Sequence, residues 1–154
     1  MALHILHDGF SGMCGIGSDP VTGERGFLIR MVNGDLGATV KGTLVAANAG
    51  TDNAFQTESS EFDAIGVVAQ SGVAAGGKCW VWVNGSICQV LWKDGQTSTR
   101  GYVALCADTD GRGYNVAVPT SNPVVGEHFK EIGHVLETKG SGTDVLVLCS
   151  IHFN

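Results

Sequence analysis

Ser86 is the residue of this sequence that looks most like a catalytic nucleophile. It lies in the segment Asn-Gly-Ser-Ile-Cys, which superficially resembles the Gly-x-Ser-x-Gly nucleophile elbow of hydrolases. Cys88 replaces the second glycine of that motif, and the serine follows a turn instead of joining a strand to a helix. A nucleophile also needs an oriented base beside it, and the sequence indicates none. We therefore predict no catalytic residue and no enzymatic activity.

Histidines are the second group that could do chemistry, as metal ligands. The chain contains five of them, namely His4, His7, His128, His134 and His152. Their spacing matches none of the common patterns C-x-x-C, H-E-x-x-H or C-x-x-H. We interpret them as surface or hydrogen-bonded side chains, and predict no metal site and no cofactor.

Residues 108–115, Asp-Thr-Asp-Gly-Arg-Gly-Tyr-Asn, look somewhat like a calcium loop. Such a loop ends in a glutamate at its twelfth position, but the twelfth residue counted from Asp108 is Pro119. Aspartate, asparagine and glycine are also the usual residues of β-turns. We favour a turn, with incidental calcium binding as the alternative.

Composition excludes two classes of partner. The formal net charge is −6, with only nine lysines and arginines, so the phosphate neutralisation that drives nucleic-acid binding is weak. No stretch approaches the roughly 20 apolar residues of a membrane-spanning helix, and the first residues do not resemble a signal peptide. We expect a protein made in the cytoplasm whose five scattered cysteines are buried free thiols.

Glycine content indicates the fold class. The 23 glycines in 154 residues favour tight turns between short strands and disfavour long helices. We predict an all-β fold, a compact β-barrel or β-tulip or sandwich, with at most one short helix at residues 126–131. The expected strands are residues 27–32, 43–47, 64–69, 78–83, 86–92, 102–107, 114–118, 132–137 and 144–153.

The pair Asn84-Gly85 lies between two apolar runs, KCWVWV and SICQVLW. Asn-Gly flanked by such runs is typical of a β-hairpin with a type I′ turn. The hairpin would pair Trp82 with Ile87 and would be apolar on both faces, one toward the core and one toward a subunit contact. Candidate core or interface anchors are therefore Trp80, Trp82, Trp92 and Phe153.

The sequence also contains a weak internal repeat. Residues 41–56 are similar to residues 100–116, and residues 62–83 are similar to residues 129–150, with Ile65-Gly66 and Ile132-Gly133 in corresponding places. We predict a single β domain over residues 26–154 that is built from two similar halves, 41–92 and 100–153. Residues 1–25, rich in glycine, are expected to be an extended N-terminal arm.

The last segment, GEHFKEIGHVLETKGSGTDVLVLCSIHFN, resembles the final segment of a group of phage structural proteins with a similar EIGHVLE, GTDVL and HFN pattern. The segments AIGVVAQSGVAAGGKCWVWVNGSICQVLWKDG and STRGYVALCADTDGRGY are similar too. On these segments the chain, from about residue 30 to 154, resembles the capsid decoration (head cement) proteins of tailed phages.

The resemblance implies a structural protein that decorates and stabilises the outside of an icosahedral phage capsid. The implied partners are the major capsid protein and further copies of the chain, as a homotrimer at three-fold and quasi-three-fold positions, with the capsid exterior as its location. The alternatives are another virion component (a head fibre base, a tail or a baseplate protein), a small ligand-binding β-barrel, or an enzyme such as a trimeric dUTP hydrolase.

Overall fold

A computed structural model of the protein describes residues 3–9, 12–60, 63–107, 110–119 and 124–153. Within these ranges the chain forms 12 strands and one short helix. In chain order they are β1 (His4–Gly9), β2 (Cys14–Asp19), β3 (Glu24–Asn33), β4 (Leu44–Ala47), β5 (Ala54–Thr57), β6 (Gly66–Val68), β7 (Lys78–Trp82), β8 (Ile87–Leu91), β9 (Val103–Cys106), β10 (Gly113–Val116), α1 (Val125–Lys130), β11 (Glu131–Val135) and β12 (Leu146–Ile151).

The predicted all-β class with one short helix is confirmed. The strands belong to one compact, mostly antiparallel sheet instead of a clean barrel. In several strands, buried residues alternate with more exposed ones, because successive side chains of a strand point to opposite faces. In β12, for example, Val147, Cys149 and Ile151 are buried, and the residues between them are half-buried.

Strands β3 to β7 pair in a ring, which we call the first half. Following the hydrogen bonds, β3 pairs with β7, β7 with β6, β6 with β4, β4 with β5, and β5 again with β3. The last of these pairings is parallel, and the other four are antiparallel. Five short strands therefore enclose a small apolar centre.

Strands β8 to β12, the second half, pair in the same order. Here β8 pairs with β12, β12 with β11, β11 with β9, and β9 with β10, all antiparallel. Trp92, the residue after β8, then forms a parallel bridge to Gly113 of β10. The backbone of the second half therefore repeats the pairing order of the first.

The predicted hairpin at Asn84-Gly85 is wrong. The described strands β7 and β8 do not pair with each other, because β7 pairs with β3 and β6, whereas β8 pairs with β12 and briefly with β3. The N–H of Ser86 donates to the carbonyl of Val83, and Gly85 has a φ of 84° while Asn84 keeps a negative φ. This is a type II turn, whose twist lets the strands diverge, so it joins the two halves.

The buried apolar residues form two clusters. The smaller one lies in the first half and contains Val45, Phe55, Val68, Cys79 and Val81. The larger one unites the centre of the second half with side chains on the outer face of the first half, among them Leu28, Val67 and Trp82. The first half is therefore packed against the second through its own outer face.

Strands β1 and β2 extend the sheet from β3. The buried carboxylate of Glu24, at the start of β3, pairs with the ammonium group of Lys41 and accepts a hydrogen bond from the N–H of Gln89 in β8. The division of the chain into an arm of residues 1–25 and a body of residues 26–154 stays a prediction. Within the described ranges, no helix is long and apolar enough to cross a bilayer.

Candidate functional site

One row of side chains runs across the outer face of the second half. Ile87, Ser150, His134 and Val103 are direct partners on the adjacent strands β8, β12, β11 and β9, so their side chains lie on the same face. We call these four residues the second row. His134 is exposed at its centre, and Ser150 and Ile87 are half-buried.

A β-bulge in β11 brings Glu131 to the face of His134. In a regular strand, residues three positions apart point to opposite faces. The pairing of β11 with β9 shifts between Glu131 and Gly133, and this extra residue turns Glu131 to the outer face while Ile132 and Val135 point inward. Gly133 has a φ of 142°, and a Cβ there would lie 1.9 Å from the carbonyl oxygen of Ser150. Only glycine fits this position.

Two imidazoles and one carboxylate converge beside the bulge. The ligand atoms of Glu131, His134 and His152 all lie within 4.8 Å of one another. His152 Nε2 is 2.9 Å from Glu131 Oε1, and the two histidine rings are 5.5 Å apart between centroids. His128 Nδ1 lies 3.7 Å from the other oxygen of the same carboxylate. We call Glu131, His134 and His152 the His–Glu cluster.

The sequence prediction treated these histidines as isolated side chains. Glu131 and His134 are three apart on a strand, and His152 is far away along the chain, so no spacing rule could join them. The available signal was the glycine of Glu-Ile-Gly-His, because a glycine inside a strand often marks a bulge.

A shallow cleft of about 240 Å³ lies between α1 and strands β9 and β10, next to the His–Glu cluster. Its apolar lining includes Val103, Leu105 and Val116, and its polar lining includes Glu127, His128 and Glu131. The cleft is open, and no residue of α1 is buried. The helix therefore only partly covers this side of the sheet.

Large apolar side chains surround α1 on its solvent side. Val124, Val125 and Phe129 are exposed, and so is Val118 after β10. Val125 and Phe129 are one helical turn apart and share a face. We call Val124, Val125 and Phe129 the α1 surface.

The candidate anchors of the sequence analysis occupy different environments. Trp82 and Trp92 are fully buried core residues. Trp80 is half-buried, with the guanidinium carbon of Arg30 5.7 Å from its ring centroid. The N–H of Phe153 donates to the side-chain oxygen of Asn84, which fastens the turn at Asn84-Gly85 to the segment after β12.

Ser86 has a structural role in this fold. Its side chain is buried, its hydroxyl donates to the carbonyl of Phe27, and the N–H of Phe27 donates back to it. Burial also raises the pKa of the Cys79 thiol to about 11 and raises the pKa values of the Cys88 and Cys149 thiols. These thiols therefore stay protonated and are poor nucleophiles.

Residues 110–115 of the calcium-like segment can be compared with the structure, and residues 108–109 lie outside the described residues. Arg112 pairs with Asp94 at 2.9 Å and with Asp144 at 2.6 Å, so a guanidinium already neutralises these two carboxylates. Asp110 has a φ of 57°, as expected in a turn.

Comparisons with known proteins give a structural relative. No family model matches the chain, and no curated protein matches it. Among solved structures, the chain is similar to the N base of the head fiber protein gp8.5 of bacteriophage phi29, with a TM-score of 0.57. The match covers 81% of this chain and 94% of that chain at 16% sequence identity. The two chains thus share a fold over nearly the whole length of the phage domain.

Proposed function

We propose that this chain is a structural protein of a phage virion that is attached to the head. The observation that carries the proposal is the shared fold with the base of the phi29 head fiber. Independent support comes from the sequence, whose last segment resembles the final segments of phage structural proteins. Fold alone does not define function, so the agreement of two separate lines is what gives the proposal weight.

Two finer functions are compatible with this proposal. The sequence resemblance favours decoration of the capsid exterior, with the chain bound to the major capsid protein as a homotrimer at three-fold positions. The structural likeness favours the base of a head fibre. Both place the chain outside the shell, where its net charge of −6 does not meet packaged DNA.

The α1 surface is the contact region that we propose. An isolated helix of six residues has little stability in water, and α1 buries none of its own side chains. Covering Val125 and Phe129 with a neighbouring virion protein would remove apolar area from water and hold the helix in place. Aromatic residues are enriched in such interfaces.

A virion map tests the location. Cryo-EM of particles that contain and lack this chain should show its extra density on the head, repeated over the icosahedral faces for a decoration protein or confined to fibre attachment points for a fibre base. Density on the tail or baseplate, or no density in the virion, would refute attachment to the head.

Paired surface variants test the contact region. Val125→Ser with Phe129→Ser should lower the amount of chain bound to purified heads at least tenfold, while the free chain keeps its fold. The matched control is Val21→Ser with Leu36→Ser, which removes two apolar side chains elsewhere that are even more exposed. Equal binding of both double variants would exclude the α1 surface.

We also expect no turnover of nucleotides, peptides or esters, because Ser86 and the described buried thiols are held in structural roles. Incubation with deoxyuridine triphosphate, the substrate of the β-rich alternative, should release no pyrophosphate. Release that survives purification to homogeneity would replace the structural proposal by an enzymatic one.

A further inference from the structure

We propose that the His–Glu cluster binds one divalent transition-metal ion of the Zn²⁺ class. The inference is independent of the function proposed above, because it rests only on Glu131, His134 and His152. The ligand atoms of these residues already lie within 4.8 Å of one another, on a single face of the sheet.

The donor set determines the kind of metal. Two imidazole nitrogens and one carboxylate oxygen suit zinc and its neighbours, whereas calcium and magnesium prefer sites made only of oxygens. Zinc accepts nitrogen and oxygen ligands at about 2.0–2.2 Å in a tetrahedron, which separates ligand atoms by about 3.4 Å. His152 Nε2 and Glu131 Oε1 are 2.9 Å apart, so small side-chain rotations would bring the three atoms to the required spacing.

The scaffold that holds these ligands is rigid. Glu131 and His134 are fixed on β11 by the bulge at Gly133, and His152 follows directly after β12, its N–H donating to the carbonyl of Ile132. Two paired strands thus present the ligands, and binding would cost little reorganisation.

Solvent can reach the site. The side chain of His152 is 44% exposed, that of Glu131 is 18% exposed, and His134 is exposed. His128 lies beside the same carboxylate, with its Nδ1 3.7 Å from the other oxygen of Glu131. Three protein ligands leave one tetrahedral position for water or for a group of a neighbouring chain. A bound ion would fasten the segment after β12 to β11.

The test uses the full chain without a polyhistidine tag. Titration with ZnCl₂, followed by calorimetry and native mass spectrometry, should show one ion per chain. His134→Ala and His152→Ala should each weaken binding at least tenfold. His4→Ala is the matched control, because His4 is exposed on β1 and should leave the affinity unchanged.

Two further measurements separate a specific site from surface binding. At a hundredfold excess over its dissociation constant, Zn²⁺ should raise the melting temperature of the wild-type chain by about 5–10 °C, and the shift should vanish with EDTA and in His134→Ala. Bound Co²⁺ should give the visible absorption of tetrahedral coordination, and Glu131→Gln should abolish it. The metal-free melting temperatures of the variants control for folding, since all three side chains lie at the surface.

Three results would overturn the inference. These are the lack of any Zn²⁺ binding to the wild-type chain, an affinity that is the same in His134→Ala as in the wild type, and an equal loss of affinity in His4→Ala.

Discussion

The two halves of the molecule have the same order of strand pairing, but the outer face of the first half is buried and apolar, whereas that of the second half is partly exposed and polar. In the first half, Leu28, Trp82, Val67 and Leu44 are direct partners on β3, β7, β6 and β4, and we call them the first row. All four are buried. The second row occupies the corresponding strands β8, β12, β11 and β9, yet His134 stands where the first row has Val67.

The difference teaches that backbone topology does not determine which face of a sheet becomes core. The first row is wholly apolar and is packed in the cluster that unites the halves. The second row contains a serine and an exposed histidine, and α1 lies beside Val103 without burying any of its own residues. Removing apolar area from water drives burial, so the side chains of a row determine whether that row is buried or exposed.

The largest expected effect comes from exchanging the central residues of the rows. Val67→His places an imidazole in a fully buried apolar site without a partner, and should cost about 4 kcal/mol or more, or prevent folding. The reverse change, His134→Val, should alter stability by no more than about 0.5 kcal/mol because the site is exposed. Urea unfolding of both variants is the measurement; similar midpoints would remove the contrast between the rows.

The next effect concerns the buried ion pair between Glu24 of β3 and Lys41, beside the hydrogen bond from Gln89 that links Glu24 to the second half. Lys41→Met should cost about 3 kcal/mol, because it removes the cation that pairs with a buried carboxylate and leaves Glu24 with the hydrogen bonds from the N–H of Gln89 and the hydroxyl of Thr22. Arg112→Met is the control, since its partners Asp94 and Asp144 are exposed and the expected cost is about 1 kcal/mol or less. Thermal and urea unfolding measure the loss of stability in the Lys41→Met and Arg112→Met variants. Equal losses would show that the buried Glu24–Lys41 pair contributes no more to stability than the exposed pairs of Arg112.

A smaller effect is expected at the bulge, which distinguishes β11 from its counterpart β6. Gly133→Ala should cost about 2–3 kcal/mol, because φ is 142° and the new Cβ would meet the carbonyl of Ser150. Gly37→Ala, where a Cβ meets nothing within 4 Å, should change stability by less than about 1 kcal/mol. Equilibrium unfolding measures the free energy of unfolding of both variants. An unchanged value in Gly133→Ala would mean that β11 does not need the positive φ at this position.

The last prediction concerns thiol labelling and involves no change in stability. It tests whether the interiors of both halves are closed to solvent, so that the halves differ only on their outer faces. In native protein, iodoacetamide should label Cys14 and spare Cys79, Cys88, Cys106 and Cys149, because these four are buried. Burial also raises the pKa values of the Cys88 and Cys149 thiols in the second half. Mass spectrometry before and after denaturation counts the labels. Rapid native labelling of Cys88 would mean that the centre of the second half is open to water.

Local patterns predicted the strands better than their partners. The runs around Val67 and Val147 were identified as strands from apolar and β-branched residues, and the short helix near Phe129 was placed within one residue of its bounds. The pairing of β7 with β8 was predicted from Asn84-Gly85 and its two flanking apolar runs, and it was wrong. A turn motif reports local backbone preference, whereas partner choice depends on strands that are distant in the chain.

The sequence by itself determined the all-β class, the short elements and many of the apolar residues that fill the core, because these follow from glycine content and from short apolar runs between turn residues. The tertiary structure decided that Asn84-Gly85 joins two rings, that the first row is buried, and that Glu131, His134 and His152 meet. The physical reason is that register across strands and a single bulge set the facing of side chains, and both depend on long-range pairing.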